Sequence, residues 1–86
     1  MYTLNVREQV VKKMLTFEKP YFLAIQEDVL SLAKNYFPPG KKCKRLQGKV
    51  KDLYRLRNGP YRIIYHVDHQ KKLVTILRLF HRGEGY

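Results

Sequence analysis

The chain has 86 residues, 44% of them hydrophobic, with 18 Lys and Arg against 7 Asp and Glu for a formal charge of +11. This length implies one domain spanning residues 1–86, small enough that polar function belongs on its surface. Cys43, the single cysteine, cannot close an intramolecular disulfide, and no apolar run suggests an export signal or membrane span, so a reducing cytoplasmic setting is expected. The charge is one-sided. Residues 1–40 hold five bases and four acids, a net of +1, whereas residues 41–86 hold thirteen bases and three acids, a net of +10. A polyanion is therefore the first partner to consider, and RNA or DNA above a lipid surface, because the bases fall on strand-like sequence.

Taken in order, Tyr2, Leu4 and Val6 alternate with polar residues as in a short strand. From Arg7, Val10, Val11, Met14 and Leu15 recur at helical spacing over about ten residues. Glu18-Lys19-Pro20 interrupts this pattern, and Phe22, Ile25, Val29, Leu32 and Tyr36 restart it, predicting a helical hairpin that ends at Phe37-Pro38-Pro39-Gly40. A basic loop follows, and its Lys41, Lys42, Lys44, Arg45, Lys49 and Lys51 are candidate RNA-binding residues.

The C-terminal half reads as β. Leu53 to Arg57 alternates, Asn58-Gly59 signals a hairpin, and Tyr61 to Asp68 alternates again. Arg55 and Arg57 share one face of their strand; Arg62, Ile64, His66 and Asp68 share one face of the next, leaving Tyr61, Ile63, Tyr65 and Val67 for the core. Leu73 to Phe80 is nearly continuous apolar sequence, as in a central strand. The expected fold is α+β: an N-terminal strand and a two-helix hairpin packed on a mainly antiparallel four-stranded sheet, with arginines on the sheet's other face.

The residue inventory removes several chemistries. Three histidines without HExxH, CxxC or paired carboxylates do not make a metal site, Ser31 is the lone serine and lies in a helix, and Pro38-Pro39-Gly40-Lys41 is not a P-loop. No cofactor is expected. What remains is Arg55, Arg57, Arg62 and Arg82 with His81 and Tyr86. Guanidinium groups suit a phosphodiester whose charge grows in the transition state, and RNA supplies its own 2′-hydroxyl nucleophile, so cleavage needs alignment, charge stabilisation and proton transfer. His81 is the expected titrating group, and Tyr86 either anchors the C-terminus or stacks on an unpaired base. A nucleic-acid-binding face without catalysis uses the same residues.

Arg45-Leu46-Gln47-Gly48, Leu53-Tyr54-Arg55-Leu56-Arg57, Tyr61-Arg62-Ile63-Ile64-Tyr65 and His81-Arg82-Gly83-Glu84-Gly85-Tyr86 together resemble the RelE branch of the RelE/ParE toxin superfamily. The resemblance implies the toxin of a type II toxin–antitoxin system: a ribosome-dependent endoribonuclease that enters the A site beside 16S rRNA and cuts mRNA, with a cognate antitoxin protein as partner. By matching position, it implies Arg55, Arg57, Arg62 and Arg82 as phosphate-handling residues and Tyr86 as the stacking aromatic. Well-known relatives carry lysines where this chain has Arg55 and Arg57, which suggests that His81 or Glu84 shares the proton transfers. A ParE-like inhibitor of DNA gyrase on the same fold is the alternative.

Overall fold

The structure, a computed structural model, describes residues 1–40 and 42–84 and, of Lys42, the backbone. Its elements are β1 (Thr3–Val6), α1 (Glu8–Met14), α2 (Lys19–Lys34), β2 (Lys42–Arg45), β3 (Leu53–Asn58), β4 (Tyr61–Asp68), β5 (Leu73–His81) and a 3-10 turn at Arg82–Glu84. They form a five-stranded sheet in the order β1-β5-β4-β3-β2, with β1 parallel to β5 and every other pair antiparallel.

The α+β architecture is the expected one, with one strand more than expected. Lys42–Arg45 lies within the segment read as a loop and pairs antiparallel with β3, Cys43 opposite Leu56. Only one apolar residue in Lys-Cys-Lys-Arg marks the inward side, so the strand leaves almost no period-two signal; lysine is also common on exposed sheet edges. The first helix is shorter than expected, at seven residues.

Both helices cover one sheet face because their apolar residues lie on one side. Val10 and Met14 of α1, and Ile25, Val29 and Leu32 of α2, are buried against Tyr54, Leu56, Ile63, Tyr65, Val67, Val74 and Ile76. Pro20 stands in the first turn of α2, where its missing N–H costs nothing. Asp28 breaks the apolar stripe: it is buried, and it accepts a hydrogen bond from the Asn58 side chain at the end of β3. A buried carboxylate needs such a donor, and this contact ties α2 to the β3–β4 hairpin. The hairpin turns through Gly59 and Pro60, one residue later than the Asn58-Gly59 signal suggests, with Gly59 at φ +56° supplying a conformation that side-chain-bearing residues resist.

One irregularity decides which way β5 presents its side chains. Ile64 pairs with Arg78, but the next residue, Tyr65, pairs with Ile76, so Leu77 is an extra residue on β5. Val74 and Ile76 face the helices; beyond the bulge Leu79 does so too, and Arg78 and Phe80 turn to the opposite face. Gln9 of α1 donates from Nε2 to the Leu77 carbonyl at 3.0 Å, satisfying an acceptor at the bulge.

Candidate nucleic-acid interface

The face away from the helices carries Lys44, Arg55, Arg57, Arg62 and Arg78. Register places Arg57, Arg62 and Phe80 in one cross-strand row; Lys44, Arg55, Ile64 and Arg78 in the next; and Leu53, His66 and Thr75 in a third. Ile64 and Phe80 are buried to 6% and 4% exposure, yet neither belongs to the main core cluster. They form an apolar floor under the basic side chains. The Arg78 guanidinium carbon lies 4.8 Å from the Phe80 ring centroid, a cation–π contact, while Arg78 itself remains exposed.

Three of the arginines singled out in the sequence share this face. Arg57 sits in register with Arg62, and Arg55 sits one row along, half-buried. Arg62 is pinned at its strand end: Nη1 donates to the Gly59 carbonyl at 2.9 Å and to the Tyr61 carbonyl at 3.0 Å. Arg82 is exposed in the 3-10 turn, and its backbone N–H donates to the Pro60 carbonyl at 2.8 Å, so the turn docks beside the same hairpin end as Arg62. Such a cluster presents several fixed charges to a phosphodiester chain.

His81 is placed elsewhere. Beyond the Leu77 bulge it follows Leu79 onto the helix side, where its ring meets Tyr61 edge-on at 5.6 Å; Tyr61 in turn packs 4.6 Å from Phe17. Its Nδ1 accepts the Gly83 N–H at 3.1 Å, and its own backbone N–H donates to Glu84 Oε1 at 2.7 Å. The bulge thus sets His81 off the face that carries Arg55, Arg57 and Arg62, with which the sequence reading groups it. Glu84 is engaged as well: Oε2 pairs with Lys13 Nζ at 3.1 Å, and the His81 N–H, then Lys13, hold its carboxyl below the usual range. A low-pKa carboxylate with both oxygens engaged is poorly suited to taking up a proton.

Of the candidate RNA-binding residues, Lys44 is exposed on β2 in register with Arg55, and Lys49 and Lys51 are exposed in the loop that follows. Arg45 falls in register with Tyr54, on the helix side, 3.6 Å from Asp52. Lys41, Tyr86 and the side chain of Lys42 lie outside the described residues. Two residues on the arginine face were not singled out as site candidates. Arg78 lies in an apolar run, whose interruption is its only sequence signal, and His66 lies on the face its alternation predicts. Among the described residues no group of three or more His, Cys, Asp or Glu is arranged to hold a metal ion, and no helix is long and apolar enough to cross a membrane.

The fold is shared with toxins of known structure. A chain of the archaeal RelE–RelB complex from Pyrococcus horikoshii OT3 superposes with a TM-score of 0.85 at 32% identity, covering 98% of each chain. A chain of the Mycobacterium tuberculosis RelBE2 toxin–antitoxin complex gives 0.75 at 24% identity, covering 94% of this chain and 98% of that one. The isolated Escherichia coli RelE toxin gives 0.77 at 17% identity, covering 94% and 84%. No curated protein sequence matches the chain. The family model for the ParE toxin of the type II toxin–antitoxin system parDE matches residues 7–86, nearly the whole length. The chain belongs to this toxin family, within the RelE/ParE superfamily.

Proposed function

We propose that this toxin is a metal-independent endoribonuclease of the RelE kind, cutting mRNA in the ribosomal A site in the cytoplasm. The observation that carries this reading is the gathering of Arg55, Arg57, Arg62 and Arg78 on one sheet face, above the apolar floor of Ile64 and Phe80. In the proposed reaction the 2′-hydroxyl of the substrate attacks the adjacent phosphorus. The 2′-hydroxyl proton passes to a base, the bond from phosphorus to the 5′-oxygen breaks, and that oxygen takes up a proton, leaving a 2′,3′-cyclic phosphate and a 5′-hydroxyl. Negative charge grows on the phosphoryl oxygens in between. Guanidinium groups already fixed in place lower that barrier, and removal of one such donor costs about 100- to 1,000-fold in rate.

Arg62 is the proposed principal phosphate ligand, because its two backbone contacts hold it in place. Arg82, docked at the same hairpin end, is the proposed partner. Tyr86 keeps its proposed role as stacking aromatic. His66, facing the arginine side, replaces His81 as the titratable group nearest in register to the site. The 32%-identical archaeal structure contains RelE with RelB, which supports a cognate antitoxin as partner here. An acidic surface on that partner would complement the +10 charge of residues 41–86.

The matched family model, which bears the ParE name, favours a second reading, inhibition of DNA gyrase without any cut strand. Purified toxin incubated with programmed ribosomes separates the two. The nuclease reading predicts mRNA fragments ending in 2′,3′-cyclic phosphate, with supercoiling by gyrase unaffected. Intact mRNA together with arrested supercoiling establishes the ParE-like activity instead.

A further inference from the structure

We propose that the exposed face of the Arg78 guanidinium is a nucleobase platform, seating the base next to the phosphate held by the neighbouring arginines. The inference rests on the nuclease reading and adds a binding subsite to it.

Three observations lead to it. First, the bulge at Leu77 places Arg78 on the arginine face, although counting by twos from Ile76 would send it into the core. Second, Arg78 stands over the ring of Phe80, whose 4% exposure shows how completely that ring is covered. Third, the cross-strand neighbours are Ile64 opposite Arg78 and Arg62 opposite Phe80, so the platform adjoins an apolar residue on one row and the pinned arginine on the other.

This setting differs from that of Arg62. Arg62 Nη1 is held by the Gly59 and Tyr61 carbonyls, whereas Arg78 lies against an aromatic ring, and a base has a π-face that stacks on a planar cation and edges that tolerate apolar neighbours. With its guanidinium carbon 4.8 Å from the Phe80 centroid and the residue still exposed, Arg78 keeps guanidinium surface open to a ligand. Stacking on such a surface is insensitive to base identity, so the subsite would set the position of the strand and leave sequence preference to other contacts. It would act as a positioning element, fixing the nucleotide so that the neighbouring 2′-hydroxyl lines up with its phosphorus.

The test uses stalled ribosomal complexes whose mRNA carries 2-aminopurine in the A-site codon and a 2′-deoxy sugar at the scissile position to prevent cutting. Wild-type toxin is expected to bind and to raise the fluorescence as the base leaves its stacked neighbours for the guanidinium. Arg78→Lys preserves the charge but not the plane; it is expected to lose that rise and to bind about tenfold more weakly, within the range of one lost stack. An abasic nucleotide at that position should weaken the wild type by a similar factor and leave Arg78→Lys unaffected. An equal rise with Arg78→Lys, or equal sensitivity of both proteins to the abasic nucleotide, overturns the platform while the nuclease reading stands. Failure of wild-type toxin to bind the complexes overturns both.

Discussion

Gln9 at the start of α1 donates a hydrogen bond to the carbonyl of Leu77, the extra residue in β5, at 3.0 Å. Through this contact a helix on one side of the sheet supports the irregularity that presents Arg78 on the other. Gln9→Ala removes one partly solvated hydrogen bond and is expected to cost about 1 kcal/mol. If the bond helps to hold the bulge, RNA affinity falls as well. Urea denaturation and RNA titration of the variant check the two effects, and an unchanged affinity at reduced stability would confine Gln9 to a structural role.

The Asp28–Asn58 contact joins α2 to the hairpin that carries Arg57 and Arg62. Asp28 is 4% exposed, so Asn58→Ala takes a donor from a buried carboxylate and should destabilise by about 1–3 kcal/mol. Asp28→Ala alone and the double variant complete a cycle. A coupling of about 0.5 kcal/mol or more is expected, and additivity would show that the two side chains act independently.

Tyr65, fully buried, donates its hydroxyl to the Tyr36 carbonyl at 2.7 Å, and burial holds its phenol far above the ordinary value. Tyr65→Phe is expected to cost about 1–3 kcal/mol by leaving that carbonyl without its donor, while Leu32→Ala, which opens a cavity under the same sheet, should cost about 2–5 kcal/mol. Thermal unfolding ranks the two, and a Tyr65→Phe protein as stable as wild type would show that water replaces the hydroxyl.

The helices and the central hairpin were legible because their residues obey simple periods. Ile25, Val29 and Leu32 lie on one side of α2, and Tyr54 and Leu56 alternate with Arg55 and Arg57. The arginine face was accordingly readable for β3 and β4. It failed in β5, where the bulge at Leu77 has no residue signature: Leu77-Arg78-Leu79-Phe80 reads equally well with or without an extra residue. The fate of two site residues turned on that single position, Arg78 being brought to the face and His81 removed from it. β2 escaped for a different reason, since an edge strand of Lys-Cys-Lys-Arg buries too little to alternate visibly.

The C-terminal turn should respond to acid. The Glu84 carboxyl is held below its ordinary value by the His81 N–H and Lys13, so the charged form is favoured in the folded turn. Its stabilising effect is complete above the unfolded carboxyl's pKa and is lost as pH falls through the lowered folded value. The protection factor of the His81 amide, its exchange relative to an unstructured amide at the same pH, is expected to fall over that acidic window, and Glu84→Gln should remove this fall. An exchange profile identical in both proteins would contradict the assignment.

Binding to single-stranded RNA should weaken steeply with salt, log K falling with log salt by about 0.7 for each neutralised phosphate. Arg57→Ala is expected to reduce the slope by about that amount, and Arg45→Ala, on the helix side, to leave it unchanged. Fluorescence titrations across a salt series provide the comparison. Equal losses from both variants would argue for a diffuse basic surface.

Primer extension on cellular mRNA after brief induction of the toxin tests the central claim most directly. Wild-type toxin should produce new 5′ ends within translated codons, and Arg62→Ala should suppress them about 100-fold or more while unfolding within about 1 kcal/mol of wild type. New ends that persist undiminished in a folded Arg62→Ala protein, or growth arrest by the wild type over wholly intact mRNA, would contradict it.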